Sequence, residues 1–237
     1  MKFTTSKGPK YIGQRLNVCY RDVREAVLRR DSDRIVFLAR QQVLNGAGAL
    51  DLCCAGCDDE TGALIWMTET VQAAVDVTLC LDSAASETLL AAAAVCGKPP
   101  IINAISIDHV RQGSAQGLAQ LAALLWIVST FDPDGPGHSP QSRLNTVFAL
   151  MESLSGTAQS QLILDPLFLP SVTFPEAWTN SCETAELLRN NFPEAGMLCA
   201  VGNVSYGSRG RAKVDRDTIG RAVNNGFDWL LCDVANI

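Results

Sequence analysis

Gln161-Leu162-Ile163-Leu164-Asp165-Pro166-Leu167-Phe168-Leu169-Pro170 runs from an apolar triplet into an acid followed at once by a proline. Leu162, Ile163 and Leu164 suit a short strand buried on both faces. Pro166 has no amide hydrogen for a sheet ladder and disfavours helix at the residue before it, so the strand stops at Asp165. A carboxylate then stands at the carboxyl end of a strand, where α/β folds hold ligands. An isolated Asp in this position is more often the cap of the following helix. The balance changes because other strands of the chain end in the same way.

Working outward, the chain alternates. Tyr11 to Asn17 reads as a strand ending in an amide, and Arg21 to Arg30 and Asp31 to Asn45 have helical spacing. Gly46 and Gly48 break that run before a strand over Ala49 to Cys54 that contains Asp51. Thr61 to Ala74 is helical, Val77 to Leu81 is a strand ending at Asp82, and Glu87 to Val95 is an Ala-rich helix stopped by Gly97. An apolar run from Pro100 to Ile102 leads to Asn103. Gly113 to Ala123 is weakly helical before a strand over Leu124 to Val128. Asp132 to Pro140 is a loop rich in Pro and Gly, and Gln141 to Ser153 is a helix leading to the opening strand. Beyond it come a helix over Glu183 to Asn190, a strand over Met197 to Val201 with Asn203 just past it, a helix over Thr218 to Asn224, and a strand over Trp229 to Cys232 ending at Asp233.

Eight strands alternating with helices imply a parallel sheet closed into a (β/α)8 TIM barrel, an α/β fold. The 237 residues match one such barrel, and no linker divides the chain, so residues 1–237 are read as one domain. Four residues follow Asp233, so the last outer helix is expected to be lacking. Either the chain is trimmed there or a partner covers that flank, and the apolar outside of the last strand is otherwise expected to be exposed.

The net charge of −6 argues against non-specific nucleic-acid binding, which needs a basic surface. No apolar run approaches the ~18 residues that span a bilayer, and Met1 to Lys10 has no apolar signal-peptide core. A soluble cytoplasmic protein, bound neither to nucleic acid nor to membrane, is expected. Cys53, Cys54 and Cys57 form a CC-x-x-C cluster, a spacing that suggests zinc or an iron–sulfur cluster. There are only two His, His109 and His138, and no second Cys-x-x-Cys to complete four ligands. The nine cysteines are therefore read as free thiols in a reducing compartment, with no metal site.

In a barrel the strand ends converge on one mouth. Asn17, Asp82, Asn103, Asp165, Asn203 and Asp233 collect there, with Asp51 near the second strand's end. Carboxylates and amides with almost no His or Lys suit a neutral ligand rich in N–H donors. An amino-pterin ring is such a ligand, because one carboxylate accepts from its ring N–H and its exocyclic amine together.

Six segments then resemble the pterin-binding methyltransferases that work with corrinoid proteins, the methyltetrahydrofolate:corrinoid/iron–sulfur protein methyltransferases and their relatives. They are Ile-Gly-Gln-Arg-Leu-Asn at 12–17, Gly-Ala-Leu-Asp-Leu at 48–52, Leu-Cys-Leu-Asp-Ser at 79–83, Ile-Asn-Ala-Ile-Ser at 102–106, Asp-Pro-Leu-Phe-Leu-Pro at 165–170 and Gly-Asn-Val-Ser-Tyr-Gly at 202–207. The resemblance implies that Asp165, Asn103 and Asp82 bind the pterin and that Asn203 bonds the N5 nitrogen that carries the methyl group. It further implies a place for Asp82 in the proton network, and Asp51 and Asn17 in the polar mouth. Tyr206 is expected to cover the pterin and Arg209 to attract the glutamate tail of folate. The implied substrate is tetrahydrofolate or methyltetrahydrofolate. The implied partner is a corrinoid protein that carries cobalamin over the mouth, and the implied assembly is a homodimer through outer helices. Gln14 stands where the family usually has Glu, and Cys53-Cys54-Ala55 replaces the usual Asn-Val-Gly.

Two other readings compete, beside metal-dependent hydrolysis in a generic barrel, which lacks the His ligands. Dihydropteroate synthase shares the pterin barrel but has Asp-Pro-Gly where Leu167 stands here, and it needs basic residues for a diphosphate leaving group. An inactive, degenerate pterin-binding or interaction protein is the other, suggested by Cys53 and the short end.

Overall fold

The computed structural model describes residues 8–133 and 139–236. The strands are β1 (Lys10–Asn17), β2 (Ala49–Cys53), β3 (Thr78–Asp82), β4 (Ile101–Ile105), β5 (Leu125–Ser129), β6 (Leu162–Asp165), β7 (Gly196–Ala200) and β8 (Trp229–Cys232). All pair in parallel with their sequence neighbours, and β8 returns to β1, closing the barrel. The helices are α1 (Arg21–Arg29), α2 (Ser32–Leu44), α3 (Glu60–Ala74), α4 (Ser86–Ala94), α5 (Ile107–Arg111), α6 (Ala115–Ala119), α7 (Pro140–Ser153), α8 (Ala177–Asn191), α9 (Val201–Val204) and α10 (Arg211–Asn224).

The two-residue period of a strand separates two apolar layers. Ile12, Ala49, Cys80, Ile101, Ile127, Ile163 and Leu198 fill the barrel's interior. Leu50, Leu52, Leu81, Ile102, Val128, Leu164 and Met197 face outward and pack under the helices in one continuous core. Asp31, Asp59 and Ser139 accept backbone N–H groups at the starts of α2, α3 and α7, and Pro140 fits the first turn of α7.

Several expectations need correction. Of the weak helical run over Gly113 to Ala123 only Ala115–Ala119 is helix, α6, and a second short helix that the pattern missed, α5, precedes it, parted from it at Gly113, whose φ of 72° is a left-handed turn. Helices α8 and α10 begin at Ala177 and Arg211, well before the expected Glu183 and Thr218. The first turn of α10 is largely exposed, so its apolar period starts late, whereas α8 opens on the buried Ala177 and on Trp178, which packs against Phe168. Part of the expected Pro/Gly-rich loop, residues 134–138 including His138, lies outside the described residues.

The flank beside the last strand is the largest difference. Among the described residues only a short 3-10 turn, Val234–Asn236, follows β8, yet the outward Leu230 is 0% and Cys232 1% exposed. The cover comes from elsewhere. Gln42 of α2, itself fully buried, donates from Nε2 to Asp233 Oδ1 at 2.6 Å and accepts the Val234 N–H at 3.2 Å. Gly13 permits this approach, since a Cβ there would lie 2.7 Å from Gln42 Oε1. With α2 drawn onto β1, and α10 beside the final turn, the outer face of β8 is closed.

Among the described residues no helix is long and apolar enough to cross a membrane. No group of three or more His, Cys, Asp or Glu side chains there could hold a metal ion. The CC-x-x-C thiols diverge: Cys53 ends an inward position of β2, whereas Cys54 belongs to the outer core.

Candidate active site at the barrel mouth

Register brings most of the expected residues together. Asn17 pairs laterally with Cys53, Cys53 with Asp82, and Asp82 with Asn103, so four side chains of β1 to β4 stand at one level. Asn103 pairs with Ile127, and Ser129, two residues further along β5, pairs with Asp165. Asp165 therefore stands a step higher on the far wall, a consequence of the tilt of barrel strands.

Asp51 takes a supporting place. It is 1% exposed and lies one inward position below Cys53, where its Oδ1 accepts from Asn103 Nδ2 at 3.0 Å. This bond fixes the orientation of the Asn103 amide, turning its carbonyl oxygen toward the open side. Asp51 also accepts from the buried Cys80 thiol. Above it, the Cys53 thiol donates to Asp82. Burial pushes both Asp51 and Asp82 upward, and the Asp51 charge raises Asp82 further. Asp82 keeps a solvent-facing edge, which softens the burial effect without reversing it. The same environment, burial first and the two Asp charges second, drives the Cys53 thiol far up, so it is a donor here and not a nucleophile.

Asp165 is arranged differently. Its Oδ1 accepts the Leu167 N–H at 2.9 Å, made possible because Leu167 adopts a left-handed φ of 63°. Burial lifts its carboxyl to about 6, against the pull of the Leu167 N–H and the positive charge of Arg143. Arg143 had no place in the sequence reading. No short-range signal marks it, because its partners Pro166, Leu167 and Ser181 are 23 to 38 residues away.

The remaining expected residues lie on the rim. Asn203 sits in α9, exposed, with its side-chain amide in no hydrogen bond among the described residues. Gly202 before it packs against Gln14, whose Nε2 would be 2.0 Å from a Cβ at that position. The Asn17 side-chain oxygen is engaged locally by the Cys19 N–H at 2.9 Å. Tyr206 is 63% exposed and Arg209 also faces solvent. Arg211 donates to Ser205 Oγ and to the Gly202 carbonyl, each at 3.0 Å, which braces the loop under Asn203. Asp233, expected at the mouth, is bonded to Gln42 instead.

A closed parallel barrel with a carboxylate–amide ring at the carboxyl ends of its strands defines a class, and residues 13–227 match the family described as "Pterin binding enzyme". The chain belongs to that family of enzymes. Among curated relatives, the methylcorrinoid:tetrahydrofolate methyltransferase of Eubacterium limosum is 24% identical over 227 residues, covering 94% of this chain and 84% of that protein. Among solved structures, dihydropteroate synthase from Stenotrophomonas maltophilia superposes with a TM-score of 0.71 at 17% identity, over 97% of this chain and 89% of that one. The Xanthomonas albilineans enzyme with 4-aminobenzoic acid gives 0.71 at 19% identity over the same shares. Likeness at these identities speaks for the fold alone.

Proposed function

We propose that this protein moves a methyl group between the cobalt of a corrinoid carried by a partner protein and N5 of tetrahydrofolate. The observation that carries the reading is the exposed, uncommitted amide of Asn203 standing on the rim above the Asp82, Asn103 and Asp165 ring. The relative from Eubacterium limosum supports the choice of chemistry and, through its name, the direction from methylcorrinoid to folate.

In this reading Asp165 accepts from the pterin's ring N–H and exocyclic amine, and the Asn103 carbonyl oxygen accepts a further N–H. Asp82 completes the ring and exchanges protons with the bound pterin. Asn203 accepts the N5–H through its amide oxygen, which aims the N5 lone pair at the incoming methyl group. As the N5–C bond forms, the electrons of the cobalt–carbon bond stay on cobalt and N5 becomes positive. The Asn203 bond strengthens with that charge, which is where an amide lowers the barrier. N5 then releases its proton to solvent at the mouth. In reverse, the same bond helps a poor amine leaving group depart.

Chemistry that expels diphosphate is less well served. Arg211 is committed to Ser205 and Gly202, and the ring itself contains no cation among the described residues. The partners that follow are a reduced folate, a corrinoid protein over the mouth and, through the outer helices, a second copy of the chain.

The test mixes the protein with methyltetrahydrofolate and chemically reduced cob(I)alamin and follows loss of the Co(I) absorbance. Asn203→Ala is expected to react more than tenfold slower, equivalent to ~1.4 kcal/mol of transition-state stabilisation. An unchanged rate in that variant would remove Asn203 from the mechanism. Folate binding without turnover would favour the degenerate reading, and no folate binding would overturn the pterin assignment.

A further inference from the structure

Arg143 is the most unusual charge in the molecule. α7 places it between the barrel and α8, where it is 1% exposed and forms no ion pair among the described residues. Its Nε is buried without a partner. A buried cation is expensive unless strong bonds offset desolvation. The bonds it does make converge on one short turn. Nη1 donates to the Pro166 carbonyl at 2.9 Å, to the Leu167 carbonyl at 3.1 Å and to Ser181 Oγ at 3.4 Å. Ser181 Oγ also lies 2.7 Å from the Leu167 carbonyl oxygen, so that oxygen is gripped from two sides.

The turn so held is one that Leu does not adopt readily. At φ 63° its Cβ is crowded, a conformation that residues other than Gly rarely adopt. The left-handed turn has one visible product, the Leu167 N–H folded back onto Asp165 Oδ1 at 2.9 Å. That bond takes one acceptor site of Oδ1 and fixes the plane of the carboxylate.

We infer that Arg143 is a positioning residue for the pterin: it clamps the Pro166 and Leu167 carbonyls, and thereby holds the Asp165 carboxylate in one orientation, anchored by the Leu167 N–H, with its remaining acceptor sites presented to the ligand. The identity of the ligand rests on the reading under Proposed function; the clamp itself does not. The charged or titratable groups that act on Asp165 are Arg143 from α7 and, from β7, the Cys199 thiol. Its lateral neighbour on β5 is the uncharged Ser129. Arg143 is thus the positive charge that favours the ionised form of Asp165.

Three variants test this: Arg143→Lys keeps the charge but loses the planar reach to two carbonyls, Arg143→Met removes the charge, and Ser181→Ala removes the second grip. Each is first checked for folding by circular dichroism and melting. In Arg143→Lys the affinity for methyltetrahydrofolate is expected to fall at least tenfold, with KM rising more than kcat falls. In Arg143→Met the acidic limb of the binding-versus-pH curve moves to higher pH, and in Arg143→Lys it stays in place. A purely structural role would lower the melting temperature and leave that limb where it is in both variants, which would overturn the inference. Should Arg143→Met fail to fold, amide exchange decides through the other two variants. Exchange at Leu167 is then expected to quicken while the peptide over residues 78–83 is unchanged, and equal protection at Leu167 would overturn the clamp. This readout needs no folate, so failure of the unmutated protein to bind folate would sink the pterin reading separately.

Discussion

Asp82 and Asp165 end strands on opposite sides of the same mouth, and both are lifted by burial. What stands behind them differs. Asp82 is backed by another carboxylate, Asp51, whose negative charge adds to desolvation, and the bond donated by the Cys53 thiol opposes them only in part. Asp165 is backed by the buried Arg143 and by a backbone N–H, and both oppose desolvation. One residue type at one kind of strand end is therefore pushed toward two protonation states. The Asp82 side favours the protonated form, which can donate as well as accept, whereas Asp165 titrates near 6 and is mostly an acceptor at neutral pH. A pterin presents both donors and acceptors along its edge, and under the proposed function the two walls would divide that recognition.

The sharpest way to break the contrast is Asp165→Asn. Losing a carboxylate that accepts two N–H groups should weaken folate binding by about a hundredfold, from roughly 1.5 kcal/mol for each charge-assisted bond. The same variant should be more stable than the parent. Asp165 binds its proton more tightly folded, at about 6, than in the unfolded chain, so the parent's stability falls as pH rises from 4 to 6. Asn does not titrate, so its advantage opens over that window and holds above it, on the order of 2 kcal/mol by melting. A variant that lost both binding and stability would mean Arg143 needs the charge more than burial penalises it.

A smaller effect is expected from Asp51→Asn, which keeps an acceptor for the Asn103 amide but removes the neighbouring charge. Folate affinity should change by less than about threefold, since that hydrogen bond survives. The limb of the pH–rate profile belonging to Asp82 should move toward acid, because Asp82 then ionises more readily. No movement would mean that the two carboxyls are not linked and that the contrast rests on burial alone. The smallest change is Cys53→Ala. It deletes a weak donor to Asp82, so a two- to fivefold loss in kcat/KM is expected, consistent with a fraction of 1 kcal/mol up to about that value.

The barrel and the level of the ring were legible because strand ends carry local signals: an apolar run, then Asp165 before Pro166, or Asp82 and Asn103 closing their own runs. Depth was not legible. Asp51 looks like a mouth residue in the sequence, but strand register, set by closure of the whole sheet, places it one inward position below. Arg143 reads as a polar face of a helix, and only α8 and the Asp165–Leu167 turn, both distant in sequence, reveal it as buried. The cover of β8 was missed for the same reason. An apolar strand with no helix after it predicts an open flank unless one knows that Gly13 lets Gln42 in.

The Gln42 contact has a consequence in time. Its amide is sealed from water in the finished molecule, and both its partners lie 191 and 192 residues further along the chain. During synthesis, β1 and α2 emerge early, and that amide finds its partners only when the last strand arrives. Until then the growing sheet has two raw edges; once Asp233 and Val234 are in place, both edges disappear in one event. The first and last strands of the barrel are thereby made to fold, and to unfold, as a single unit, so loss of the barrel is expected to be abrupt rather than a fraying from β8.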